Sequence, residues 1–351
     1  MDFLNFILKV PGYLEDADDD VVLFFTIKFY RNLEGFLFPL KMNEDDIRKV
    51  KEKVISALDL LPTWGKNLTI HEISTLPNHI LQIYFERGII GYESFQNKFS
   101  SVTFNSDERF VARICERDHL KFIARGTYKE FDDLTQEVEI YMGILDKKLD
   151  FAFKEGLGYL SASPRYLGHA LNISVVLHVP AIFILGQIQS FTQILQKNML
   201  ILSGLMDTNI QTYGAFVQVK LTSFFDSTQE VRSKVRQSLE EIKELEAHMR
   251  NLILVERPIE IEDRIFKSLA ILRNSRLLSL PEVYDHLSNV RLGVDLGYIK
   301  DLHPRFFKEA FFRILPSHIK VFYSVPEDDF LKESEMRALL IQELLDKYYA
   351  G

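Results

Sequence analysis

The run Glu116-Arg117-Asp118-His119-Leu120-Lys121 gathers two carboxylates, an imidazole and two cations within six residues. Carboxylates accept protons, and lysine and arginine hold anions, so such a run suits a site that handles a charged group. Its second residue sets a limit. Arg117 cannot accept a proton and would repel a cationic substrate placed beside it. Glu116 and Asp118 are its nearest candidate ion-pair partners. Asp118 and His119 read as fold-specifying polar residues in a strand-end turn, with a functional His119 as the alternative. Ser163 lacks a surrounding Gly-x-Ser-x-Gly elbow and reads as core and turn. His178, in an apolar run, reads as a hydrogen-bonded core histidine. His248, His286, His303 and His318 fit no standard zinc spacing, and the single Cys115 cannot by itself form an intramolecular disulfide or a thiolate metal site.

Strands must carry this run. Residues 21–30 are rich in β-branched and aromatic side chains and predict a largely buried strand. Residues 101–104 and 110–115, separated by the turn-like Asn105-Ser106-Asp107-Glu108, predict a hairpin, and 120–125 another strand. Asn43 is a candidate N-cap for a helix to about Leu60. The spacing of Leu134, Val138, Tyr141, Met142, Leu145, Leu149 and Phe153 predicts an amphipathic helix over 132–153. A strand follows over 213–225, then a long charged helix opened by Ser227 and running to about Glu256. Its Leu239, Ile242, Leu245 and Met249 stripe belongs to an amphipathic face or serves a partner. Beyond Pro258 the pattern is of short helices over 261–275, 281–293 and 304–314, a polar acidic linker over 324–332 and a last helix over 334–349. A boundary is expected near residue 257.

At 351 residues the chain is long enough for two domains, and 47% hydrophobic with 26% charged residues is an ordinary globular composition. A net charge of −8 gives no general attraction to nucleic acid or anionic membranes. The apolar opening over 1–9 lacks a basic flank and a cleavage site, and reads as a short amphipathic helix instead of a signal. The apolar stretch 173–185, interrupted by His178 and Pro180, is too short for an easy membrane span and reads as buried. A cytoplasmic location is expected.

Several segments, in collinear order, resemble the ATP:guanido phosphotransferases, most closely the bacterial protein-arginine kinases. The 116–121 run is similar to their Glu-Glu-Asp-His-Leu-Arg, with Arg117 at the catalytic glutamate. Val22-Leu23-Phe24-Phe25-Thr26-Ile27-Lys28-Phe29-Tyr30-Arg31-Asn32-Leu33-Glu34-Gly35 resembles Val-Leu-Ser-Ser-Arg-Ile-Arg-Leu-Ala-Arg-Asn-Leu-Glu-Gly. Gly158-Tyr159-Leu160-Ser161-Ala162-Ser163-Pro164-Arg165-Tyr166-Leu167-Gly168 resembles Gly-Tyr-Leu-Thr-Ala-Cys-Pro-Thr-Asn-Val-Gly. Val290-Arg291-Leu292-Gly293-Val294-Asp295-Leu296-Gly297 resembles a segment of the helical C-terminal domain of the protein-arginine kinases. The resemblance implies an α+β fold, an antiparallel sheet backed by helices over 1–257, followed by an all-helical domain over 258–351 that supports dimerisation and phosphoarginine binding.

It also implies a chemistry that this chain has altered. The family holds a triphosphate with five arginines, whose forks bind phosphate oxygens in pairs. Their positions correspond here to Thr26, Lys28, Lys121 and Asn172, and to a shortened, arginine-free loop from Gly204 to Gln211; none is Arg and only two are cationic. The cysteine against the guanidinium becomes Ser163, and a family histidine is matched by Gly88. An Arg-Asp-x-x-Arg-Ala motif for phosphoarginine becomes Glu333-Ser334-Glu335-Met336-Arg337-Ala338, with Glu333 and Ser334 altered and Arg337 kept. A charge-assisted hydrogen bond contributes roughly 1.5 to 3 kcal/mol, so losing several would remove most phosphate affinity.

The leading expectation is therefore a catalytically impaired homologue, a pseudokinase with an interaction or regulatory role in protein quality control, with weak Mg-ATP binding at most through Lys28 and Lys121. By resemblance its partners are a second copy of itself, a small zinc-containing activator and a Clp-type unfoldase. The rival is an active protein-arginine kinase whose missing charge has moved to Arg113, Arg125 or Arg165. A third reading keeps nucleotide as a structural ligand. Three or more cations around the cleft of Lys28 and Lys121 would be the mark of the rival.

Overall fold

The strand Val22–Arg31 (β1) is buried along its whole length, because its two faces meet different layers. Phe25, Ile27 and Phe29 enter the main hydrophobic core, while Thr26, Lys28 and Tyr30 alternate onto the other face, as the two-residue period of a strand requires. The computed structural model describes residues 3–62, 64, 68–203, 213–223 and 227–349. The remaining strands are His71–Glu72 (β2), Ser101–Phe104 (β3), Phe110–Ile114 (β4), Leu120–Gly126 (β5), Phe153–Lys154 (β6), Gly158–Tyr159 (β7), Leu171–His178 (β8), Leu200–Ser203 (β9) and Phe216–Ser223 (β10). Eight of them form one antiparallel sheet in the order β2-β3-β4-β5-β1-β8-β10-β9, with β6 and β7 a separate pair. The apolar run expected to be buried is central strand β8 followed by the helix Pro180–Ile184.

Helices cover the apolar face of the sheet. Glu44–Leu58 starts at Asn43, whose side chain accepts the Asp46 N–H at 2.9 Å. Phe131–Lys148 contributes Leu134, Val138, Tyr141 and Leu145 to the core. Thr228–Glu256 opens on a reciprocal capping box between Ser227 and Glu230. Its Leu239, Ile242 and Met249 stripe is buried in the core, so it is not a free docking face.

The helix from 131 ends at Lys148, five residues before the expected Phe153. Leu149 turns extended, at φ −116 and ψ 127, and carries Phe151 to a bridge with Leu33 and Phe153 to a pairing with Tyr159. Phe153 shares the helical spacing but is 59% exposed.

After Arg257 the described chain is helical: Pro258–Asn274, Leu280–Asp295, Arg305–Arg313, Pro316–Phe322 and Phe330–Tyr348. The expected linker over 324–332 is cut short, because Asp329 caps the last helix by accepting the Lys332 N–H at 2.9 Å. Pro316–Phe322 was not anticipated. The buried cluster continues across residue 257: Phe24 of β1 and Phe216 of β10 both meet Phe311 edge-on, and His178 Nε2 lies 3.0 Å from Ser288 Oγ. Among the described residues no helix is long and apolar enough to cross a membrane.

Candidate functional site

Strand register assembles the site. Lys28 lies opposite Ile123 and Asn172, Thr26 opposite Arg125 and Ser174, and Tyr30 opposite Lys121. Lys121 in turn faces Arg113, and Ser174 faces Lys220. Directly paired residues share a face, so Lys28, Lys121, Lys220, Arg113 and Arg125 all point to the polar side of the sheet. Five cations exceed the three that would mark relocated charge. Arg113 and Arg125 are on this face, whereas the third candidate, Arg165, is exposed on the turn Pro164–Tyr166.

These cations are engaged by the protein. Arg113 donates to the carbonyls of Ile89 and Gly88 at 2.9 and 2.8 Å, and Arg125 donates to the same Gly88 carbonyl. Gly88 is therefore the anchor of two guanidiniums, and its φ of +63 places it in the left-handed region that glycine tolerates. Lys121 lies 3.4 Å from Glu116 and 5.3 Å from the Tyr30 ring centroid. Lys28 is only 6% exposed. Burial, then the neighbouring Lys220, Lys121, Arg113 and Arg125, push its pKa well below that of an ordinary lysine. Burial and, more weakly, Arg165 also lower that of Lys220, against an opposing effect of Tyr166. Asn172 is buried and donates to the Leu221 carbonyl at 3.1 Å.

Two aromatic rings close this floor. Tyr30 and Tyr166 stack with centroids 4.0 Å apart and planes 8° from parallel, and Tyr30 is 4% exposed. They stand where the resembling motifs have Ala and Asn. That paired enlargement was visible in the motifs, but nothing local in the sequence tells that the two rings meet.

The 115–119 turn separates the acidic residues by role. Glu116 is buried, accepting from Gly91 N–H at 2.9 Å and Ser94 Oγ at 2.5 Å, with Arg113 and Lys121 within 3.5 Å of its carboxylate. Burial alone would raise its pKa, but Arg113, Lys121, the Ser94 hydroxyl and the Gly91 N–H outweigh it and hold it at about 2. Asp118 accepts from Asn32 Nδ2 at 2.6 Å, Ala162 N–H at 2.7 Å and Ser161 Oγ at 3.1 Å. His119 Nδ1 accepts the Leu33 N–H at 2.8 Å, so its Nε2 carries the proton toward the Leu37 carbonyl at 2.8 Å. Burial lowers its pKa. Both residues thus tie the turn to the 32–42 and 160–162 segments.

Arg117 is exposed and, among the described residues, pairs with neither Glu116 nor Asp118. Ser163 is half-buried; its N–H donates to Ser161 Oγ at 3.3 Å and its carbonyl accepts from Tyr166 N–H at 2.9 Å, which is turn duty. The Gly204 to Gln211 loop lies outside the described residues. Lys220, Asn32 and the two tyrosines are the site residues that sequence reasoning missed. Lys220, the one charge in the Phe216–Ser223 strand, was the available signal.

Far along the chain, Arg337 is 2% exposed and donates to the carbonyls of Ile314 at 2.8 Å and Leu278 at 3.1 Å, and to Glu333. The Ser334 carbonyl accepts from Leu278 N–H at 3.1 Å. Glu333, Ser334 and Arg337 therefore join helix Phe330–Tyr348 to its neighbours.

Comparison with known proteins agrees with this architecture. The family model described as ATP:guanido phosphotransferase, C-terminal catalytic domain, matches residues 49–249, and that of the protein-arginine kinase McsB C-terminal domain matches 258–350. The chain is 29% identical over 291 residues to a protein-arginine kinase of Clostridium novyi, covering 82% of this chain and 85% of that one. It is 29% identical over 325 residues to the protein-arginine kinase of Staphylococcus epidermidis, covering 92% and 93%. Among solved structures, the duplicated taurocyamine kinase of Schistosoma mansoni matches with a TM-score of 0.58 at 19% identity, over 69% of this chain and 35% of that one. Lombricine kinase matches with a TM-score of 0.54 at 18% identity, over 70% and 71%. These structural neighbours share the fold. With its catalytic-type sheet, its helical C-terminal region and these matches, the chain belongs to the ATP:guanido phosphotransferase family, in the protein-arginine kinase branch.

Proposed function

We propose that this chain is a protein-arginine kinase homologue that has kept the scaffold and lost efficient phosphoryl transfer, and that it acts through interaction with other proteins in protein quality control. The observation that carries this reading is the want of a base in the 116–121 run. Arg117 cannot take a proton, Glu116 is held at about 2 by two cations and two hydrogen-bond donors, and Asp118 is buried and tied into the fold, its Oδ1 accepting from Asn32, Ser161 and Ala162. A positioned base contributes roughly 10²- to 10⁴-fold to a proton-coupled reaction. The Tyr30–Tyr166 stack adds a second obstacle, because it covers the floor on which a nucleotide's phosphates would rest.

The same reading takes 1–257 as the catalytic-type unit and 258–351 as a helical unit supporting dimerisation, without phosphoarginine binding at Glu333, Ser334 and Arg337. Its cytoplasmic partners would be a second copy, a small zinc-containing activator and a Clp-type unfoldase, as the family resemblance implies.

One observation favours the rival, an active kinase with a rearranged site. Five cations share the sheet face, enough to attract a triphosphate if the tyrosines part. Incubation with radiolabelled ATP and an unfolded acceptor protein, alone and with a candidate activator, separates the two. Background incorporation is expected. Robust acid-labile labelling of arginine, abolished by Lys28→Ala, would overturn the reading.

A further inference from the structure

A cavity of about 400 Å³ lies between the start of β1, β10 and the helices Leu280–Asp295 and Arg305–Arg313, and none of its lining residues belongs to the site above. Its volume is within the range of small-ligand sites, which are mostly apolar with a few fixed polar groups. Leu23, Phe24, Phe216, Leu287 and Phe311 form an apolar floor, all buried in the fold. Arg291 is the polar group set into that floor.

The charges around the cavity are unevenly answered. Asp18 is ion-paired with Lys129, Asp19 with Lys243, and Asp20 with Arg250 at 2.6 Å. Asp295 lies 3.5 Å from Arg250, and burial raises its pKa to about 6. Lys308 donates to the Glu15 carbonyl at 2.6 Å. Arg291 donates from Nη2 to the Asp19 carbonyl at 2.9 Å and, among the described residues, has no ion pair. Burial lowers its pKa, with Asp295 the largest opposing influence. A guanidinium has five N–H donors in a planar fork that matches a carboxylate. A half-buried guanidinium with one carbonyl partner and no direct ion pair, at the wall of an apolar cavity, can be satisfied by an anion that brings its own apolar body.

We propose that this cavity binds a small amphipathic carboxylate, with its head on Arg291 and its apolar body among Phe24, Phe216, Leu287 and Phe311. Asp18, Asp19 and Asp20 each face a cation other than Arg291, and Asp295, shared between Arg291 and Arg250, is the one rim carboxylate that a bound anion must displace from Arg291 or share it with. The reading is independent of whether the chain transfers phosphate.

Isothermal titration of the full chain with decanoate, decan-1-ol and decyltrimethylammonium, each below its aggregation concentration, tests it. Decanoate should occupy one saturable site at least tenfold more tightly than either of the others. Arg291→Gln should bring decanoate to the level of the alcohol. Val294→Trp, from a half-buried position on the cavity wall, should fill the space and abolish binding of both. If Arg291→Gln fails to fold, the three ligands on the unaltered chain and the Val294→Trp variant still decide. The proposal is overturned by no saturable binding of decanoate, by equal or tighter binding of the cation, or by decanoate binding that survives Val294→Trp.

Discussion

Glu116 is the residue on which the electrostatics of the site turn. Its ordinary carboxyl pKa of 4.5 falls to about 2 in the fold, so its contribution to stability is fully present above pH 4.5 and is lost as pH falls through about 2. One pKa unit corresponds to about 1.4 kcal/mol, which puts an upper bound of about 3 kcal/mol on this contribution. Glu116→Gln should therefore lower urea-unfolding stability by up to about 3 kcal/mol at pH 7, with the gap to the unaltered chain narrowing as the pH is brought from 4.5 toward 3. A gap that stays constant across that range would contradict the assignment. The tyrosine stack makes a separate prediction. Lys28 should resist reductive methylation in the unaltered chain and become reactive in a Tyr30→Ala, Tyr166→Asn double variant, as read by peptide mass spectrometry. Equal reactivity in both would mean that the rings do not cover it. The retained polar residues Asn32, Asp118 and His119 brace the fold, whereas of the altered ones Arg117 is exposed and Ser163 holds a turn.

At the scale of elements, the parts legible in the sequence are those whose signal is local. β-Branched and aromatic content marked β1, the turn residues 105–108 marked the hairpin of β3 and β4, and Ser227 with Glu230 marked the long helix. Register then follows from burial: a one-residue slip of β1 would send Lys28 into the core and Ile27 out of it. The misses have tertiary causes. Phe153 continues a helical spacing but pairs with Tyr159 instead, and the last helix begins at Phe330 because Asp329 caps it. Arg337 reads in sequence as the survivor of a ligand motif, yet its three partners make it a brace between helices. Removing one partner of a buried ion pair typically costs about 3–5 kcal/mol. Arg337→Ala should lose stability of that order in chemical denaturation; a loss under 1 kcal/mol, on the scale of a surface ion pair, would mean that the side chain is not a brace.

For the whole molecule, the family was legible because motifs spread over nearly the full length occur in the right order, and the comparisons bear that out. The state of the site was only half legible. Which residues replaced the family's arginines could be read directly. That Arg113, Arg125 and Lys220 would join Lys28 and Lys121 on one face depends on strand pairing across 28–220, and that Glu116 would be pinned depends on the 88–94 segment folding over it. The molecule thus holds a sheet face that carries five cations, with two stacked tyrosines beside it and an arginine at position 117. The most direct test is phosphorus-31 NMR of an unfolded acceptor protein after incubation with ATP, magnesium and the full chain. No phosphorus–nitrogen resonance should appear above the level of an enzyme-free control. A phosphoarginine resonance that grows with time and disappears in Lys28→Ala would contradict the account.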